Sequence, residues 1–108
     1  VLRFNLARKA SRVRVFEIGR VFLRDAAVPE SDTTVAGVAQ PLRVCALAYG
    51  PALPLQWGCD DRLVDFYDVK GDLEQLFAPR AVTLQKAEHP ALHPGRSAAV
   101  WVEGRCVG

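Results

Sequence analysis

The chain has no methionine and only three cysteines, Cys45, Cys59 and Cys106, an odd set with no close pair. A disulfide framework favours an even number and a secreted setting, so these thiols read as reduced, with Cys45 and Cys106 buried in apolar strands as small hydrophobes. No apolar run approaches the roughly 20 residues that cross a bilayer. The opening Val1-Leu2-Arg3-Phe4-Asn5 has neither an initiator Met nor a signal-peptide layout. Together these absences predict a cytoplasmic protein with no membrane partner. Cys106-Val107-Gly108 stops within an apolar run, so both ends are expected to be cuts through a larger protein. There is no Gly-x-Gly-x-x-Gly, no Walker-type loop and no Gly-x-Ser-x-Gly elbow around Ser97, which removes the familiar phosphate cradle and serine nucleophile. Internal repeats and low-complexity tracts are absent too.

At 108 residues, half of them apolar and a quarter charged, residues 1–108 make at most one small domain. Such a domain buries about two thirds of the surface of its unfolded chain. The net charge of +2 is unevenly placed. Arg3, Arg8, Lys9, Arg12, Arg14, Arg20 and Arg24 face the single acid Glu17 in residues 1–24. Asp60, Asp61, Asp65, Asp68, Asp72 and Glu74 outnumber Arg62 and Lys70 in residues 60–74. Such asymmetry can steer an anionic partner. The plainer reading, that the two segments complement each other or neighbouring parts of the fold, is preferred.

Residues 1–10 fit the tail of a helix with cations near its C-terminus. From Arg12 to Leu23 a β-branched and aromatic run without Pro predicts a long strand. Val13, Val15 and Glu17 share one face, and Arg12, Arg14, Phe16, Ile18 and Arg20 the other. Neither face is cleanly core or solvent, which suggests a central strand flooring a cleft. Asp25 to Pro41 reads as a long mobile loop, across which a hairpin returns to a second strand, Leu42–Tyr49, buried on both sides. Asp65 and Asp68 form a capping box for a helix whose apolar face is Phe66, Val69, Leu73, Leu76 and Phe77. Gly71 inside it implies a close helix-on-sheet contact. Strands follow at Val82–Ala87, Ser97–Val102 and Arg105–Val107, the last two joined by a Glu103-Gly104 turn. The class is α+β, an antiparallel sheet with flanking helices.

His89 and His93 stand four apart, but Pro90 and Pro94 oppose a regular helix and only Glu88 offers a further ligand, so no metal site is expected. Turn histidines bonded to backbone are the reading, with Gly95 easing the turn. Cys59 beside Asp60 and Asp61 sits in the wrong field for an activated thiolate. Trp57, Phe66 and Trp101 are left open between core and partner.

Three segments are similar to one family, the β subunit of bacterial phenylalanyl-tRNA synthetase. They are Arg12–Phe22 (RVRVFEIGRVF), Asp65–Glu74 (DFYDVKGDLE) and His89–Ala98 (HPALHPGRSA). Together, in this order, they cover most of the chain; residues 25–41 and 50–61 carry no signal. The resemblance implies a class II aminoacyl-tRNA synthetase-like fold, in a module of the β subunit that has lost catalytic residues. Its implied partners are a catalytic α subunit, in an α2β2 tetramer, and tRNA(Phe). ATP and Mg²⁺ are implied for the whole enzyme and no cofactor for this part. Class II sites clamp ATP with an Arg-x-Glu pair on a strand. Here Arg14-Val15-Phe16-Glu17 separates the pair by two residues and puts them on opposite faces. No catalytic residue therefore carries over. Arg12, Arg14 and Arg20 on the strand and Asp68, Asp72 and Gln75 on the helix are the candidate contacts to the partner subunit or tRNA. A small tRNA-binding module built on Arg3, Arg8, Lys9, Arg12 and Arg14 is the alternative, although aromatic residues do not interleave with those cations in the way stacking platforms require.

Overall fold

A computed structural model describes every residue from Val1 to Gly108. The chain divides into two compact units, Val1–Leu63 and Val64–Gly108.

In the first unit, helix α1 (Leu2–Ala7) is shorter than the expected 1–10. It closes where Lys9 takes a φ of 63° and the N–H groups of Arg8 and Ala10 both return to the Asn5 carbonyl. The Arg8 guanidinium lies 3.5 Å from the centre of the Phe4 ring. Strand β1 (Val13–Arg20) then pairs antiparallel with β4 (Leu42–Tyr49), from Val13 opposite Tyr49 to Arg20 opposite Leu42. The expected hairpin is there, but the long strand to Leu23 is not. After Arg20 the chain steps, and β2 (Leu23–Arg24) forms its own short ladder with β3 (Val38–Ala39). The region read as a mobile loop is thus partly paired. Its tip turns on Ser31, whose hydroxyl accepts from the Thr33 and Thr34 N–H groups beside a Ser31–Thr34 bridge.

Three expectations about burial are overturned. Strand β1 is not central, since β4 is its only neighbour. Strand β4 is not buried on both sides: Leu42 is 63% exposed and Val44 57%. Cys45 and Cys106 are exposed as well. The physical reason is common to all of these. An apolar sequence says what a strand can bury, while burial itself needs a covering layer, and only Val13, Ala52 and Val102 are buried apolar residues here.

The second unit opens with α2 (Phe66–Phe77). Its capping box is formed as expected. The Asp65 carboxylate accepts from Tyr67 N–H at 2.8 Å and Asp68 N–H at 3.1 Å, and Asp68 accepts from Asp65 N–H at 2.9 Å. Both ends of the reciprocal cap satisfy donors that a helix start otherwise leaves unpaired. Gly71 does not mark a close approach, because a Cβ there would meet nothing within 4 Å. Strands β5 (Val82–Lys86), β6 (Ala98–Val102) and β7 (Arg105–Cys106) form one antiparallel sheet in that order. Positive φ at Glu103 and Gly104 gives the two-residue turn whose twist suits a hairpin. The α+β class and the antiparallel pairing hold, with three small sheets in place of one.

Replacing Asp65 with Ala removes one half of the cap. The expected cost is about 1 kcal/mol, read as faster hydrogen exchange at the Tyr67 and Asp68 amides, with Asp65→Ser restoring most of the protection.

Candidate functional site

The first unit carries its most specific construction where β4 ends. Gly50 has a φ of 88°, and a Cβ on it would collide with the Ser11 carbonyl. Close approach and left-handed backbone both demand glycine there. Arg12, just before β1, reaches across to the same place. Its Nε donates to the Pro51 carbonyl at 3.1 Å and its Nη2 to that of Ala52 at 3.2 Å. Ala52, only 4% exposed, donates its N–H to the Arg62 carbonyl, and Pro51 bridges Leu63. The segment 51–63 is therefore a loop with its two ends tied together, the form of an Ω-loop. Its tip is bare: Leu55 is 94% exposed and Trp57 102%.

The ladder of β1 and β4 sorts the remaining side chains of this unit. Arg14, Phe16, Ile18 and Arg20 project from one face, beside Leu42, Val44, Ala46 and Ala48. Phe16 is 74% exposed and Ile18 56%, so this is an open apolar surface with an arginine near each end. Arg14 is engaged, and Arg20 Nη1 donates to the Gln40 carbonyl at 3.0 Å. Glu17 stands on the opposite face with Val15, Cys45 and Leu47. There, Val1 and Leu2 help to wall an open groove of about 620 Å³. The carboxylate lies in an apolar trough that offers a surface to cover; Arg43, opposite Gly19, shares its face of the ladder, and Glu17, Arg20 and Arg43 border a smaller hollow of about 240 Å³ at that end.

Arg12, Arg14 and Arg20 thus divide between two tasks. Arg12 is spent on the base of the loop, while Arg14 and Arg20 frame the apolar face. In the second unit Asp68, Asp72 and Gln75 fall at i, i+4 and i+7 of α2 and share a helix face. Asp68 is partly committed to the cap, and Asp72 and Gln75 are exposed. His89 and His93 are built into turns. His89 Nδ1 accepts from Ala91 N–H at 3.1 Å, and His93 Nδ1 donates to the Pro94 carbonyl at 2.6 Å. Ser97 Oγ donates to the His93 carbonyl, and no third metal-ligating residue groups with them. What sequence reading missed is the tied loop. Gly50 directly after an apolar strand was the available signal, but the pairing of Arg12 with carbonyls some 40 positions away has no local signature.

The family model for the phenylalanyl tRNA synthetase beta chain CLM domain matches residues 1–108. Similar relatives, each named phenylalanine–tRNA ligase beta subunit, come from three bacteria. The Burkholderia lata protein is 66% identical over 108 residues, covering 100% of this chain and 13% of its own length. That of Ralstonia nicotianae is 59% identical over 107 residues, with 99% and 13% covered. That of Dechloromonas aromatica is 53% identical over 105 residues, with 96% and 13% covered. The chain therefore spans about an eighth of the length of these relatives.

Replacing Arg12 with Ala unties the loop at one end. The loss of two charge-assisted hydrogen bonds is expected to cost roughly 1–3 kcal/mol. Amide exchange in 51–63 accelerates while β1 and β4 keep their protection, and Arg12→Lys, able to reach one carbonyl well, recovers part of the effect.

Proposed function

We propose that this chain, which belongs to the phenylalanyl tRNA synthetase beta chain CLM domain family, is a structural, non-catalytic segment of a phenylalanine–tRNA ligase β subunit. It supports the attachment of phenylalanine to tRNA(Phe) by packing against the catalytic α subunit in an α2β2 assembly. In this reading the segment is part of a class II synthetase-like fold working in the cytoplasm. ATP and Mg²⁺ serve the whole enzyme and are not held here.

One observation carries the reading: an ordered eight-residue ladder whose apolar faces are left open. Phe16, Ile18, Leu42 and Val44 are each more than half exposed on a single face. Covering such side chains contributes roughly 1.5–3 kcal/mol apiece at full burial. A surface of that kind is built to be packed upon. The chemistry agrees. Arg14 and Glu17 project from opposite sides of β1 and cannot act on one nucleotide, so this pair does not make an ATP clamp and no reaction step is assigned to it. The segment's work is then architectural: it holds surfaces in register for the parts of the enzyme that do the chemistry. Arg14 and Arg20 supply a polar margin to the apolar face of the first unit, and Asp68, Asp72 and Gln75 on α2 are separate candidate contacts of the second.

A small basic tRNA-binding module is the second reading. It draws on cations already engaged within the first unit, Arg8 on the Phe4 ring and Arg12 on loop carbonyls, and therefore ranks below packing.

In the full-length β subunit, Asp72→Lys together with Gln75→Lys is expected to weaken association with the α subunit about tenfold. Aminoacylation should fall in step, with circular dichroism of the free subunit unchanged. Unaltered association and aminoacylation would remove α2 from the interface. Phenylalanine-dependent ATP–pyrophosphate exchange by residues 1–108 alone would overturn the non-catalytic reading.

A further inference from the structure

Two kinds of uncovered apolar surface occur in the first unit, and they differ in character. The β1–β4 face is broad and continuous, with its arginines near the ends. The tip of the 51–63 loop is small and bears one large aromatic residue, held out from the unit by a tied base. Leu55, Gln56, Trp57 and Gly58 border a hollow of about 490 Å³, and Asp60 and Asp61 follow after Cys59. Arg62, the one cation of the loop, has its Nη1 on the Leu63 carbonyl. The tip is thus apolar at its centre and acidic at its margin, the layout of an interface anchor with its polar rim.

The loop's construction bears on what it does. An indole on a slack loop would collapse onto nearby apolar surface, and the first unit has such surface open on its sheet. Trp57 nevertheless stands wholly in solvent. The Arg12 hydrogen bonds, the Pro51–Leu63 bridge and the turn at Gly50 hold the base in place. An anchor presented from a fixed base loses little freedom on docking, and Trp is among the residues that most often dominate binding energy when seated in a desolvated pocket.

We propose that the Leu55–Gly58 tip is an intersubunit anchor that seats Trp57 in a pocket of the α subunit, apolar within and cationic around its mouth. The proposal rests on reading the chain as a β-subunit segment that packs against α. Charge selects the partner. Asp60 and Asp61 repel a phosphate backbone, which disfavours tRNA, and complement a basic rim on a protein surface. A single aromatic with a charged margin also differs from the continuous apolar faces that strands present to their own domain's core.

The test uses the full-length β subunit, free and in complex with α, with hydroxyl-radical footprinting read residue by residue by mass spectrometry. Trp57 is expected to oxidise readily in free β and at least fivefold more slowly in the complex. Trp57→Ala should weaken α binding tenfold or more, and Trp57→Phe should retain most of the affinity. Footprints elsewhere in free β should be unchanged, which separates lost contact from misfolding. Protection of Trp57 already in free β would overturn the proposal in favour of packing within the β chain. Protection on adding tRNA alone would overturn it in favour of nucleic acid. An unprotected Trp57 in a complex that shields other residues of 1–108 would sink the anchor and leave the packing reading standing. No shielding anywhere in 1–108 would sink both.

Discussion

Eight antiparallel residue pairs, running from Val13 opposite Tyr49 to Arg20 opposite Leu42, set the terms for everything else in the first unit. A ladder held by backbone hydrogen bonds fixes register, and register fixes faces, because side chains alternate with a period of two. Phe16 and Ile18 are thereby placed beside Ala46 and Val44. Arg14 and Glu17 are sent to opposite sides. A slip of a single position would exchange the two faces and bring different groups together. The consequence for chemistry is direct. On the proposed non-catalytic reading, Arg14 and Glu17 of β1 cannot cooperate on a single nucleotide, because the ladder sends the two to opposite faces.

The same ladder positions the loop that follows. Arg12 precedes the first rung and Gly50 follows the last, so strand pairing brings these two ends side by side. Only then can one guanidinium reach the carbonyls of Pro51 and Ala52. A planar, always-charged fork is well suited to two adjacent acceptors, where a lysine would satisfy them less directly. Gly50 completes the junction because no side chain fits against the Ser11 carbonyl. A residue that looked in sequence like part of a basic patch is, in the fold, a fastener. This is why a count of cations along residues 1–24 overstates what is available to an anionic partner.

How far the fold was legible follows from how local each signal is. The α2 capping box was readable because Asp65 and Asp68 are three apart and their mutual bonds are made within one turn. The hairpin turn at Glu103-Gly104 and the backbone roles of His89 and His93 were readable for the same reason. The break after Arg20 was not, since β propensity runs unbroken through Val21 and Phe22 while the strand's course is decided by its partner. The Ser31-centred turn hid inside a stretch whose Pro and Thr content resembles any loop. Gly71 misled in another way. Its cost inside a helix suggested a compensating contact, and no such contact surrounds it. Burial failed most clearly: Leu42, Val44 and Cys45 have the composition of a core strand, but exposure depends on a second layer that no property of the strand itself encodes.

The mismatch between apolar composition and actual burial is itself informative. Unfolded chains lose of order 1–2 kcal/mol of backbone entropy per ordered residue, and burial is the main term that offsets this loss. Three buried apolar residues are a small return for 108 ordered ones. The ladder, the tied loop and the capped helix supply order through hydrogen bonds, whose net contributions are modest individually. The open faces are therefore surface on which a further layer can contribute stability. Relatives about eight times as long provide ample further chain, and a subunit that works with another provides a second source. Continuous apolar faces suit either source, and an isolated aromatic with an acidic margin suits a single pocket on the second. Phe16 and Trp57 thus make different demands: one lies in a broad face that a packed layer covers, and the other stands alone, with Asp60 and Asp61 close by, and fits a single pocket.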